Sequence, residues 1–257
     1  MISQMIFKAV RIARMIVLAS LAFGSAAWAA TCSNASLSGA YGFVHLGTDS
    51  NGNPATAALS QITFDSTTGT FIVETTASHD GMIAVDSLTG TYSIASNCTG
   101  TGTPSAGSPF AIVVTSTGFL ALHLDAEGFA VQQGSPTCTN AGVKGRFGFE
   151  TSGVFLARAP GMGAVAFIGE LKLAVSSAGE GVISGHLASS EDGTFLTFGA
   201  EPVTGSYTID KDCRGRATIT RKGQREMHFS LVVVGNGKEM LAIETDPNTV
   251  VSGTLQQ

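Results

Sequence analysis

Apolar and polar residues alternate with a period of two along most of the chain. Tyr41, Phe43 and His45 share one face of a segment, as do Phe71 with Val73 and Tyr92 with Ile94. In the second half Phe147 and Phe149 alternate, and so do Met227, Phe229, Leu231 and Val233. Alternation over about 4–8 residues marks a strand with one buried face. Turn signals separate these runs: Asn51-Gly52, Thr68-Gly69, Asp80-Gly81, Asp192-Gly193, Gly235-Asn236-Gly237 and Asp246-Pro247-Asn248. No segment carries a convincing helical period. The pattern predicts an all-β protein with roughly eight short strands in each half, arranged as antiparallel barrels or, alternatively, as sandwiches. An up-and-down barrel is preferred, because a hairpin-linked meander accounts for the turn spacing and leaves no free edge.

The two halves are copies of one unit. Cys32-Ser33-Asn34-Ala35 through Tyr41-Gly42-Phe43 aligns with Cys138-Thr139-Asn140-Ala141 through Phe147-Gly148-Phe149. Thr89-Gly90-Thr91-Tyr92-Ser93-Ile94, leading to Cys98-Thr99-Gly100, aligns with Thr204-Gly205-Ser206-Tyr207-Thr208-Ile209, leading to Cys213-Arg214-Gly215. Repeats of this size are ordinary domains. The reading is a leader over residues 1–29, a first barrel over 30–136 and a second over 137–257, joined through Gly134-Ser135-Pro136-Thr137. The second unit has the longer apolar strands and is expected to be the more stable, folding alone from about residue 137. Thr99 to Ser108, rich in Gly, Ser and Thr, reads as a flexible loop.

The first 29 residues change the picture of where the protein works. Lys8, Arg11 and Arg14 form a positive start, Met15 to Phe23 is an apolar run too short to span a bilayer, and Ala27-Trp28-Ala29 has the small-x-small form of a cleavage site. This predicts export to the periplasm or the cell exterior, with cleavage after Ala29 and no membrane span afterwards. Of the 14 basic residues the leader takes three, so 11 remain against 19 acids, a net charge of −8. Phosphate binding needs clustered Lys and Arg, so nucleic acid is not an expected partner. The single Trp is Trp28, which leaves with the leader.

Four cysteines, two per unit, suit an oxidising compartment. Repeat symmetry favours Cys32 with Cys98 and Cys138 with Cys213. The rival symmetric pairing, Cys32–Cys138 with Cys98–Cys213, would staple unit to unit. Closing each within-unit loop adds about 4 kcal/mol in the chain-entropy model. No Cys-x-x-Cys or paired His accompanies them, so no metal site is expected.

The stretch Gly205 to Gly215, with Ile243-Glu244-Thr245-Asp246-Pro247-Asn248 through Gly253, resembles a family of uncharacterised bacterial exported proteins similar to allene-oxide-cyclase and calycin-like barrels. The likeness covers residues 138–257 well and 32–134 loosely. It implies a small antiparallel barrel, and it carries over no cyclase residue, because no catalytic motif of that enzyme is matched here.

Catalytic signatures are missing from the sequence: no Gly-x-Ser-x-Gly, no His-Glu-x-x-His, no Ser-x-x-Lys. Gly237-Lys238 is followed by Glu239 where a phosphate loop needs Ser or Thr, and Asp49 to Asn53 imitates a calcium loop with its Gly misplaced. No cofactor is implied. Strand parity turns His186 and His228 outward and leaves His45 beside Tyr41 and Phe43. Glu244 aligns with His123, and both read as outward; a bulge that broke parity would make Glu244 the best polar candidate of the second unit. The candidate ligand residues are therefore Tyr41, Phe43, His45 and Glu244.

Three functions fit. The inward rings, among them Phe64, Phe71, Phe167 and Tyr207, are enough to fill eight-stranded interiors, which favours a structural or surface-interaction module. A small apolar partner held inside a barrel is the second reading. A cyclase or isomerase at a barrel mouth is the third.

Overall fold

A computed structural model describes residues 31–48, 54–122, 127–134, 137–158, 161–195 and 201–257. The leader, the Asp49–Asn53 turn, and His123 with Asp125 lie outside the described residues.

The first unit is a closed barrel of eight antiparallel strands in sequence order. They are β1 (Gly39–Thr48), β2 (Pro54–Asp65), β3 (Thr70–His79), β4 (Met82–Ile94), β5 (Thr99–Pro104), β6 (Phe110–Val114), β7 (Gly118–Leu122) and β8 (Glu127–Gln132). The first and last strands pair, Phe43 opposite Ala130, and close the ring. The second unit contains β9 (Gly145–Arg158), β10 (Gly161–Val175), β11 (Gly181–Glu191), β12 (Thr194–Phe195), β13 (Glu201–Ile209), β14 (Arg214–Arg221), β15 (Glu226–Val234), β16 (Glu239–Glu244) and β17 (Thr249–Gln256). Pairing of β10 with β11 closes eight of these into a barrel, and β12 is a two-residue appendage to β11. The final strand lies beside β9, Leu255 opposite Phe149. The architecture is thus two closed barrels and not a pair of sandwiches.

Why the repeated residues recur is visible at the disulfide end of each barrel. Cys32 bonds Cys98, and Cys138 bonds Cys213. Asn34 sits in a short 3-10 turn, and its Oδ1 accepts the Ile94 N–H at 2.8 Å. The Tyr92 hydroxyl donates to the Leu37 carbonyl at 2.8 Å and to that of Asn34 at 3.0 Å. Burial, with Asp65 and Tyr41 nearby, pushes the Tyr92 phenol up to about 12, so it stays a donor. Asn140, Tyr207 and Ile209 repeat the arrangement, both bonds at 2.8 Å. The Cys-x-Asn and Tyr-x-Ile-x-x-x-Cys motifs are a cap that seals one end of a barrel, and their role is structural.

One expected loop is a strand. Residues 99–104 pair with both β4 and β6. Gly102 is there because of packing: a Cβ on it would meet the Phe110 ring at 2.2 Å. Small residues on this strand make room for neighbouring rings, so its composition imitates a loop.

Each barrel has its own core. The first is built on Tyr41, Phe64, Phe71, Tyr92, Ile112 and Phe119, with Phe43 packed against it. The second is built on Phe147, Phe149, Phe167, Tyr207, Ile219 and Phe229 among others. A third apolar cluster lies between the barrels. Ala57 and Leu59 of β2 meet Val232, Val234, Leu241 and Ile243 on the outer wall of the second barrel. The two barrels are therefore packed on each other through side chains that neither needs for its own interior.

Candidate functional site

The second barrel is plugged at its disulfide end, and its deep interior is full. The cavity among Phe149, Leu171, Ile183, Tyr207 and Phe229 measures about 10 Å³, near the space of one water. Polar groups gather instead at the opposite end. Glu244 is completely buried, and it points into the barrel with Met240 and Ala242. This corrects the outward placement read from parity. Leu241 and Ile243, on the opposite face of the strand, pack toward the first barrel. Both faces of β16 are buried, so no bulge is needed to bring Glu244 inside.

Around Glu244 the charges are close. Its Oε1 accepts from Arg225 Nη2 at 2.7 Å, and Oε2 is buried without a partner. Arg225 also reaches Asp246 at 3.3 Å and lies over the Phe155 ring, 5.3 Å from its centre. Burial raises the Glu244 carboxyl to about 7; Arg225 opposes the rise and Asp246 adds to it. Asp246 accepts the His228 backbone N–H at 2.9 Å and holds His228 Nδ1 at 2.8 Å. The other His228 nitrogen faces Glu226 at 3.8 Å. His228 is thus oriented through Nδ1, and its other ring nitrogen lies beyond hydrogen-bond distance of Glu226.

Tyr41, Phe43 and His45 belong to the other barrel, on the inward face of β1. Tyr41 packs edge-on against Phe64 and Phe119, with ring centres 5.6 and 5.4 Å apart, as a core residue does. Phe43 and His45 follow it, their rings 5.5 Å apart. The structure does not join these three to Glu244. His186 and His228 are outward, as parity indicated.

A larger space lies outside both interiors. A cleft of about 610 Å³ runs between the barrels. Its floor is the outer face of β14 and β15, where Arg216 pairs across from Ser230 and Thr218 from His228. Its roof carries Thr76, Ile83 and Val85, and Leu59 with Val232 form the deep edge. Val85 is 69% exposed. Contacts between the barrels frame the cleft. Toward the disulfide end Arg214 bridges to Glu74 at 3.3 Å, and Gln61 donates to the Asp212 carbonyl. Toward the other end the Asn248 N–H donates to the Gly81 carbonyl at 2.8 Å, and the Ser78 hydroxyl donates to the Thr249 carbonyl. This cleft is not legible in the sequence, because nothing in a repeat pattern says which outer faces meet. Arg221 is legible there: it shares the inward parity of Ala217 and Ile219.

No protein-family model matches the chain, and no curated protein matches it. One solved structure resembles it loosely: a protein of unknown function from the DUF3598 family of Nostoc punctiforme, 10% identical, covering 91% of this chain and 100% of that one at a TM-score of 0.23. An overlap that loose carries no argument about this protein.

Proposed function

We propose that this is an exported, calycin-like two-barrel module without catalytic activity, which binds a small amphipathic molecule in the cleft between its barrels. One observation carries the reading: the second barrel's interior is filled, whereas the inter-barrel cleft offers about 610 Å³. Ligand sites occupy about 300–1,000 Å³ and favour interfaces between domains. The two walls differ in kind. Ile83 and Val85 supply an apolar roof, and Arg216, Thr218, His228 and Ser230 supply donors and acceptors on the floor. Such a pair of walls suits a molecule with one apolar and one polar face. The two disulfides fit an oxidising compartment, and no helix among the described residues is long and apolar enough to cross a membrane.

The test is native mass spectrometry of the protein purified from the organism that makes it, beside a Thr218→Trp variant. Thr218 points out of the second barrel into the cleft, so an indole there obstructs its floor without entering a core. A bound small molecule in the wild type, absent from the variant, supports the reading. A bare wild-type protein, or the same adduct on both, overturns it.

A further inference from the structure

We infer that the end of the second barrel away from its disulfide holds a separate site for a short organic carboxylate, anchored by Arg221. Arg221 ends β14 on the inward face and is only 9% exposed. Its Nη1 donates to the Ser189 hydroxyl at 3.1 Å, and its guanidinium lies over the Phe167 ring, 5.0 Å from the centre. Its Nε is buried with no hydrogen-bond partner. Among the described residues no carboxylate lies within ion-pairing distance of it, and Glu244, two strands away on β16, is held by Arg225. A buried cation without a counter-charge costs several kcal/mol.

The fold does not demand this residue. Continuing the Cys98–Cys213 alignment without gaps puts Ala106 at the matching place in the first unit. A second orphan is a cross-strand neighbour of the same residue. Thr151, Phe167 and Ser189 are direct cross-strand neighbours on β9, β10 and β11. The Thr151 hydroxyl is also buried without a partner. A guanidinium stacked on Phe167 and a hydroxyl on its cross-strand neighbour thus belong to one inward patch.

Planar carboxylates match the guanidinium fork, with charge-assisted hydrogen bonds about twice as strong as neutral ones. Thr151 can donate to the same group, and Phe167 holds the guanidinium by stacking beneath it. Because the interior below is filled, the ligand has to be short. This site is on the inner side of β14; the cleft lies on its outer side. The two proposals therefore stand or fall separately.

The experiment is calorimetric titration of the full exported protein with hexanoate and with benzoate in low-salt, phosphate-free buffer. Inorganic phosphate is titrated in parallel. The wild type is expected to bind the carboxylates saturably. Arg221→Met, of similar volume, should weaken binding by at least ~10-fold, the effect of losing one charged hydrogen bond. Thr151→Val should weaken it by less, and Thr218→Trp should leave it intact. Arg221→Met should melt at or above the wild-type temperature without ligand, which separates lost binding from lost folding. No carboxylate binding at millimolar concentration, or equal binding by wild type and Arg221→Met, overturns the inference. Phosphate binding as tightly as the carboxylates overturns the assigned ligand class.

Discussion

The seam between the barrels makes a prediction that the repeat itself controls. Gly42 and Gly148 occupy the same position in the two units. Neither has the positive φ that would favour glycine, so alanine fits both backbones. Their surroundings differ. A Cβ at Gly42 would stand 2.5 Å from Val234 Cγ1 and 3.0 Å from both Leu241 Cδ1 and Val232 Cγ1. At Gly148 the nearest atom is the Gln256 carbonyl oxygen at 3.7 Å, ordinary contact. Carbon atoms pack at about 3.5–4.0 Å, so Gly42→Ala forces the barrels about 1 Å apart or pushes Val234 off its rotamer. Overpacking of this kind costs about 1–3 kcal/mol. Replacing a strand glycine at an open site gains about 0.5–1 kcal/mol. The glycine gain is common to both variants, so they should differ by the overpacking cost alone, about 1–3 kcal/mol, equivalent to about 2–12 °C in Tm for a chain of this size. Differential scanning calorimetry with disulfides intact measures it, Gly42→Ala melting below the wild type and Gly148→Ala at or above it. Equal melting temperatures for the two variants would show that the barrels do not pack through this seam.

Other consequences follow from the same structure. Glu244 has a folded pKa of about 7 against an ordinary 4.5, so folding is favoured by its protonated form. That contribution is present below about pH 4.5, fades as pH rises, and is lost above about 7, a span equivalent to about 3 kcal/mol. Thermal melts at pH 5 and pH 8 should show wild type losing stability relative to Glu244→Gln; parallel profiles refute the assignment. Unreduced peptide mapping should recover Cys32 with Cys98 and Cys138 with Cys213, and any crossed pair contradicts the fold. Removing either bridge should cost about 2–5 kcal/mol, read as a lower denaturation midpoint. Intact mass of the exported protein should place the cut after Ala29, with tyrosine-like emission only, and a tryptophan band would mean that Trp28 survives. Expressed with an export signal, residues 137–257 should unfold in one transition, because the second barrel's core and disulfide are its own. The fragment should also self-associate in sedimentation, since Val232, Val234, Leu241 and Ile243 lose their cover. An unfolded fragment would mean that the barrels share one core.

Local rules were enough for much of this protein. A period of two, interrupted by Asp-Gly turns, is a property of strand geometry, and Asp80-Gly81 and Asp192-Gly193 indeed turn with positive φ at both residues. The repeat of Cys, Asn and Tyr positions foretold one bridge per unit, because equal sequences build equal caps. What periodicity cannot express is burial from two sides. On β16 Met240, Ala242 and Glu244 enter the barrel while Leu241 and Ile243 enter the seam, so the strand reads as one continuous apolar run. A carboxylate at its end then has no readable direction. The cleft, the seam and the placement of Arg221 beside Thr151 and Phe167 depend on which strands become neighbours across more than a hundred residues. That is decided by closure of the rings and by the packing of one barrel's outer wall on the other, interactions between segments whose separation in sequence carries no trace of their contact.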